Sequence, residues 1–377
     1  MTQRGELALV MSGGGARAAY QVGALRWLAK RLPTASVPIL TGVSAGAINA
    51  AFLGAHAGSF EQRVEKLCDL WGELSVEHVF RVGALGLFTH LLDSALALVS
   101  GGHRKPRHHG MVDTAPLRVF LERTLLAEKG ELTGIARNLE RGAVRAVAIT
   151  AASYTTGRSV TFVQGQDVEP WERADRVSRG CLLRVEHVMG SAALPIFFPA
   201  VQIENGYYGD GGMRLTAPLA PAVHLGAQRI LAISTRHIPD LGETRAHVLK
   251  GYPPPAQIFG DVMSAIFLDQ FDGDALRLQR INQLLENTPP EKRENLRPVE
   301  LLLLRPSRDL GRLANDYEAR LPRTFRFLTR GLGTQETRSN DLISLVMFQA
   351  DYVKRLLQLG EQDAAERARE IEAFVGV

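Results

Sequence analysis

The 377-residue chain has only two cysteines, Cys68 and Cys181. Two are too few for a disulfide framework, and their separation matches neither a metal-ligand nor a redox spacing. What remains is a pair of free, buried thiols in a reducing compartment. Long apolar runs are scarce as well. The longest stretch, Val82 to Val99, is interrupted by His90, Asp93 and glycines. A membrane-spanning helix needs about 20 mostly apolar residues, so none is expected. The first apolar run, Leu7 to Met11, begins almost at once, so a secretory leader is not expected either. Excess charge is small, +4 with 22% charged residues, which gives no sign of a nucleic-acid partner. The expected location is the cytoplasm, and the slight basicity is compatible with peripheral contact at the inner membrane face. His108-His109 is too isolated for a metal site, and neither a metal nor a cofactor is expected. Internal repeats and low-complexity tracts are absent.

The chain has ample material for a large core, being 45% hydrophobic. Leu7–Met11 reads as a strand buried on both faces. Ser12-Gly13-Gly14-Gly15 breaks it, and a helix follows with Val22, Leu25 and Leu28 on its apolar side. Val37 to Leu40, a turn and an alanine-rich helix from Ala45 come next. Further strands are expected at Ala146–Thr150, Val160–Val163, Val201–Ile203, Arg229–Ser234 and Val299–Leu304. Strands alternating with helices imply βαβ units and a mainly parallel sheet covered on both faces. Val160–Val163 fits a hairpin at the sheet edge. Residues 255 to 286 read as helix on the spacing of Ile258, Val262, Ile266, Leu276, Ile281 and Leu285. Asp341 to Leu359 reads as helix with Gly360 as its C-cap, followed by a charged helix from Glu361 to Val375. Val82–Val99 with the basic run Gly101–Gly110 fits either a lid touching an anionic membrane or a cap helix with a solvated loop.

Three motifs carry chemistry. Gly42-Val43-Ser44-Ala45-Gly46 fits Gly-x-Ser-x-Gly, a sharp strand-to-helix turn that lifts the serine side chain out of the backbone. It follows an apolar strand and opens a helix, the setting the motif requires. Gly13-Gly14-Gly15, ahead of Arg17, exposes backbone N–H groups where a helix starts. That loop suits an oxyanion hole or, through Gly13, Gly15 and Ala18, a dinucleotide fingerprint. The glycine-flanked serine immediately downstream favours the oxyanion hole. A dinucleotide site also wants an acidic residue ending the second strand, where Thr41-Gly42 stands. Third, Asp210 sits between Gly209 and Gly211-Gly212. Alone it reads as an ordinary turn residue.

Taken together, Gly13–Arg17, Gly42–Gly46 and Asp210-Gly211-Gly212 resemble the patatin-like phospholipase family, in its order and spacing. Ser191–Pro199 resembles the segment before that family's Asp strand. The resemblance covers residues 6–235 and implies a three-layer α/β/α fold. Residues 236–377 are expected to form a mostly helical C-terminal extension packed on it. The implied function is a lipid acyl hydrolase without histidine: Ser44 as nucleophile, Asp210 as base, Gly13, Gly14 and Gly15 as the oxyanion hole. Gly42, Gly46, Gly211 and Gly212 are the motif glycines, and Arg17 fixes the loop or holds a lipid phosphate. Ala18 stands where the family often has glycine. The implied partner is a phospholipid or other lipid ester, and self-association is compatible with the sequence. A low-turnover lipid-binding protein or an acyltransferase would use the same residues. His224, His237 and His247 lack a distinctive motif and read as surface residues. Phe197 and Phe198 are expected to pack or to line an acyl pocket.

Overall fold

A computed structural model describes residues 5–81, 110, 112–239, 255–267, 270–318 and 341–376. The apolar stretch Val82–Val99, the basic run up to His109, and His247 lie outside the described residues. Five-residue β1 (Leu7–Met11) is the centre of the molecule, buried at every position. Its side chains alternate between two cores, as a strand's must. Leu7, Leu9 and Met11 join one cluster, Ala8 and Val10 the other.

After β1 the chain forms α1 (Ala19–Arg31), β2 (Ile39–Val43), α2 (Ala45–Ala55), α3 (Phe60–Glu73) and α4 (Ala115–Thr124). Strands β3 (Ala146–Ser153), β4 (Ser159–Gly165) and β5 (Arg176–Gly180) precede α5 (Val185–Ser191). The hairpin β6 (Val201–Ile203) and β7 (Gly206–Asp210) leads to β8 (Arg229–Ile233). The last third supplies α6 (Pro255–Phe267), α7 (Gln270–Glu286), β9 (Glu300–Leu304), α8 (Asp341–Val346), α9 (Ala350–Glu366) and α10 (Ala368–Val375). One sheet runs β5-β4-β3-β2-β1-β8-β9, with β6 and β7 attached at β3. Its core is parallel, from β3 through β9. β4 and β7 pair antiparallel with β3. Helices α1, α2, α3 and α9 cover one face, while α7 and the short helix Ala220–His224 cover the other. This is the mainly parallel three-layer α/β fold expected. Among the described residues no helix is long and apolar enough to cross a membrane.

Three details differ from the sequence reading. The β3–β4 hairpin is not at the edge, because β5 pairs outside β4. Gly360 does not end a helix but lies inside α9. A Cβ there would sit 2.0 Å from the Tyr20 carbonyl oxygen of α1, so its small size permits helix contact. The apolar stripe read across α6 and α7 holds only at Leu285, which is buried, and at Ile266, which packs on the core. Ile258, Val262, Leu276 and Ile281 are exposed, while Met263, Phe267, Phe271 and Leu278 are buried. The strand expected at Val299–Leu304 is present as β9 and extends the sheet past residue 235 by pairing with β8 along its whole length.

The chain leaves β1 toward β2 on one side and later returns as β8 on the other. Open α/β sheets bind ligands at such a switch point, beyond the carboxyl ends of the strands. The loops after β1, β2 and β8, and the end of β7, converge there.

Candidate active site

Strand β2 ends at Val43 and α2 starts at Ala45, so Ser44 alone makes the reversal. Its φ and ψ are 55° and −129°, a strained region for a side-chain-bearing residue that costs about 1–3 kcal/mol. The motif glycines let the turn close. A Cβ on Gly42 would lie 2.2 Å from the Gly46 carbonyl oxygen, and one on Gly46 2.4 Å from that of Met11. Behind Ser44 stands the N-terminus of α2, whose partial positive charge favours an anion.

Asp210 closes β7, paired in register with Ala151 of β3. Ser44 Oγ donates to Asp210 Oδ2 at 2.6 Å. The Gly212 N–H donates to Oδ1 at 2.9 Å. Gly211 packs on the Thr150 carbonyl and Gly212 on the Phe267 ring. Asp210 is 1% exposed, and no ion pair reaches its carboxyl group among the described residues. Burial pushes its pKa up to about 7, against the downward pull of the Ser44 and Gly212 hydrogen bonds. A carboxylate held near neutrality is poised to take and return a proton.

The glycine loop lies beside the serine: a Cβ on Gly13 would sit 2.9 Å from that of Ser44. Gly14 has φ 141°, which a larger residue would strain to adopt. Among the described residues, no acceptor takes the N–H of Gly13, Gly14 or Gly15. A buried polar chain holds the loop. Thr235 Oγ1 donates to the Gly13 carbonyl at 2.7 Å. Gln21 Nε2 donates to the Ser12 and Ile233 carbonyls at 2.9 and 3.1 Å. Asn49 donates to Gln21, and Trp71 Nε1 to Asn49. The sequence reading passed over these residues. The signal was there in Gln21 and Asn49, amides set within otherwise apolar helical runs.

Arg17 is 3% exposed and does not line the cleft. Its Nε donates to Ser344 Oγ at 2.6 Å, and its guanidinium pairs with Asp341. Asp341 also accepts from Ser264 of α6. Arg17 therefore links the helical turn that follows the glycine loop to α8 and α6. Asp341→Ala would leave a buried guanidinium without its counter-charge, and the expected loss of stability is about 3 kcal/mol. Urea unfolding measures it; a loss under about 1 kcal/mol, the range of an exposed pair, would show that the pair does not anchor that turn.

Ser44 and Asp210 stand at an apolar cleft of about 750 Å³, mouth included. Leu70 and Trp71 of α3, Leu117 and Phe120 of α4, and Phe198 wall it. Phe267 of α6 and Leu345, Val346 and Phe348 at and after α8 complete it. The C-terminal third thus builds part of the site. Phe197 packs on the core instead. No histidine lines the cleft among the described residues. His187 is buried with Nε2 3.9 Å from Cys181 Sγ, and burial pushes its pKa down to about 4. His224 is half-buried and stacks on Trp171, with ring centroids 4.8 Å apart. His237 Nδ1 lies 3.0 Å from the Pro306 carbonyl oxygen. Both thiols are free and only partly buried. Among the described residues no cluster of His, Cys, Asp or Glu is arranged to hold a metal ion.

The family model for patatin-like phospholipases matches residues 9–223. No curated protein matches the chain in sequence. Among solved structures, human GIVD cytosolic phospholipase A2, with methyl gamma-linolenyl fluorophosphonate, is 14% identical with a TM-score of 0.48. The match covers 98% of this chain and 58% of that one. VipD from Legionella pneumophila is 13% identical with a TM-score of 0.36, over 94% of this chain and 66% of that one. ExoU in complex with SpcU, from Pseudomonas aeruginosa, is 15% identical with a TM-score of 0.27, over 97% and 79%. The chain thus spans under two thirds of the first two.

Proposed function

The chain belongs to the patatin-like phospholipase family, and we propose that it is a serine acyl hydrolase cleaving lipid esters through a Ser44–Asp210 dyad. Family membership supports lipid hydrolysis as the broad activity. The observation that carries the finer reading is the 2.6 Å hydrogen bond from Ser44 Oγ to Asp210 Oδ2 at an apolar cleft beside free glycine N–H groups.

The fatty-acyl chain lies along the apolar wall and brings its ester carbonyl to Ser44. Oγ attacks the carbonyl carbon as its proton passes to Asp210 Oδ2. Negative charge collects on the former carbonyl oxygen, where the N–H groups of Gly13, Gly14 and Gly15 and the α2 N-terminus stabilise it. The tetrahedral intermediate collapses with cleavage of the bond to the alcohol, which departs with the proton from Asp210. An acyl ester remains on Ser44. Water then attacks that ester, giving its proton to Asp210. Fatty acid leaves as the proton returns to Ser44 Oγ.

The test uses a fluorophosphonate, with the adduct mapped by mass spectrometry, and dispersed phospholipid, lysophospholipid and acylglycerol substrates. We expect one adduct, on Ser44, and free fatty acid as product even with added glycerol or lysolipid. A new ester in place of fatty acid would make the protein an acyltransferase. No adduct and no turnover, with retained liposome binding, would leave a lipid-binding protein.

A further inference from the structure

Ser191 is wholly buried at the end of α5, and the reaction scheme leaves it without a task. Its hydroxyl nevertheless joins two parts of the site. Oγ accepts the backbone N–H of Ser44 at 2.9 Å. The same hydroxyl donates to the Thr150 carbonyl of β3 at 2.6 Å. Two residues further on, the Ala193 carbonyl accepts the backbone N–H of Asp210 at 2.9 Å. Thr150 in turn is the residue on which Gly211 packs. The segment 191–193 therefore grips the backbone of the serine at one end and that of the aspartate at the other. Both grips are referenced to the same strand.

We infer that Ser191 is a positioning residue, whose hydroxyl holds the elbow so that Ser44 Oγ points at Asp210 Oδ2. The physical reason lies in the backbone of Ser44. A residue with φ 55° and ψ −129° stays there only while its surroundings over-determine it. The Ser191 hydroxyl is the partner that fixes the Ser44 N–H, the group that moves when φ relaxes. A small rotation at Ser44 swings Oγ through an arc, and the dyad hydrogen bond tolerates little of that. The bond also keeps Ser44 N–H satisfied internally, leaving the glycine loop as the donor set for the oxyanion.

This inference rests on the dyad reading, and its test separates the two. Ser191→Ala is expected to lower kcat by about 10- to 100-fold, the effect of losing one buried hydrogen bond expressed in the transition state. KM should stay within about twofold, since Ser191 does not line the cleft. Fluorophosphonate labelling of Ser44 should slow by the same factor as kcat. The pH profile supplies a readout that a packing defect would not move. The Ser44 hydroxyl pulls the Asp210 pKa down, so a misdirected hydroxyl raises the inflection above that of the wild type. Ser191→Cys keeps the size but weakens the hydrogen bond, and Ser191→Thr keeps the hydroxyl. Threonine should outperform cysteine by about fivefold or more. That comparison decides the matter even if the alanine variant does not fold. A Ser191→Ala kcat within about twofold of wild type overturns the inference. So does a fall in kcat with the inflection unmoved, or a cysteine variant as fast as threonine. If instead Ser44→Ala stays active, the dyad itself is wrong whatever Ser191 does.

Discussion

Ser44→Ala is expected to reduce ester hydrolysis by about 10⁴- to 10⁶-fold, the range seen when a serine nucleophile is removed. The residue left behind has no atom able to form the acyl intermediate. The catalysis expected to persist is attack by water on a carbonyl polarised by the glycine N–H groups. The fold should survive the change. Ser44 is held through its backbone N–H by Ser191, and that bond does not depend on the side chain. The flanking close approaches at Gly42 and Gly46 are likewise backbone contacts. The stability change should therefore stay within about 1 kcal/mol, as for a substitution that creates no large cavity. Fluorophosphonate labelling must vanish together with turnover. Labelling that persists undiminished, or more than about 1% of wild-type turnover, would place the nucleophile elsewhere. Cys181 is a poor substitute, because burial pushes its thiol up to about 11 and leaves little thiolate at neutral pH.

The sheet and the serine were legible in the sequence because both rest on local patterns. Leu7–Met11 is apolar throughout and is bounded by the glycine turn, as a short strand buried on both faces is. Gly42–Gly46 specifies its own turn. Asp210 was legible only by resemblance, since nothing local separates it from any other Asp-Gly turn. Its character comes from burial and from pairing with β3, both products of distant contacts. The β5 edge strand, Arg-Val-Ser-Arg-Gly, has no apolar alternation to announce it. Gly360 misled for a related reason. A glycine late in a helical pattern signals an end, whereas here it admits the Tyr20 carbonyl of a helix some 340 positions away in sequence. Ser191, Gln21 and Asn49 were opaque because a lone buried hydroxyl or amide acquires meaning only from its partner. The same holds for Arg17, whose partner Asp341 lies in a part of the chain the family match does not reach.

Asp210→Asn is expected to lower kcat by about 10³- to 10⁴-fold, the upper part of the range for a general base. The amide can still accept the Gly212 N–H through its oxygen, so the site keeps its shape while losing its proton acceptor. In the wild type the rate should rise with pH and level off above about 7, where burial places the Asp210 pKa. Below that value the carboxyl is protonated and cannot take the serine proton. Tyr154 is a second titrating group coupled to Asp210; its pKa is raised, by burial first and then by Asp210, so it stays neutral across this window. The same raised pKa has a consequence for stability of opposite sign to the usual carboxylate. Between 3.8 and about 7 the folded state binds the proton that the unfolded state releases, so stability falls as pH rises. The cost is complete above pH 7 and absent below the unfolded value. Asparagine carries no such cost. The variant should therefore be more stable than wild type at pH 8, by about 1–3 kcal/mol, with the gain shrinking toward pH 4. Urea unfolding at the two pH values measures this directly. A variant that loses activity with no pH-dependent gain in stability would mean that Asp210 is not ionised at a cost in the folded protein. The rate would then level off in the ordinary carboxylate range, and the assignment as base would rest on the loss of kcat in Asp210→Asn.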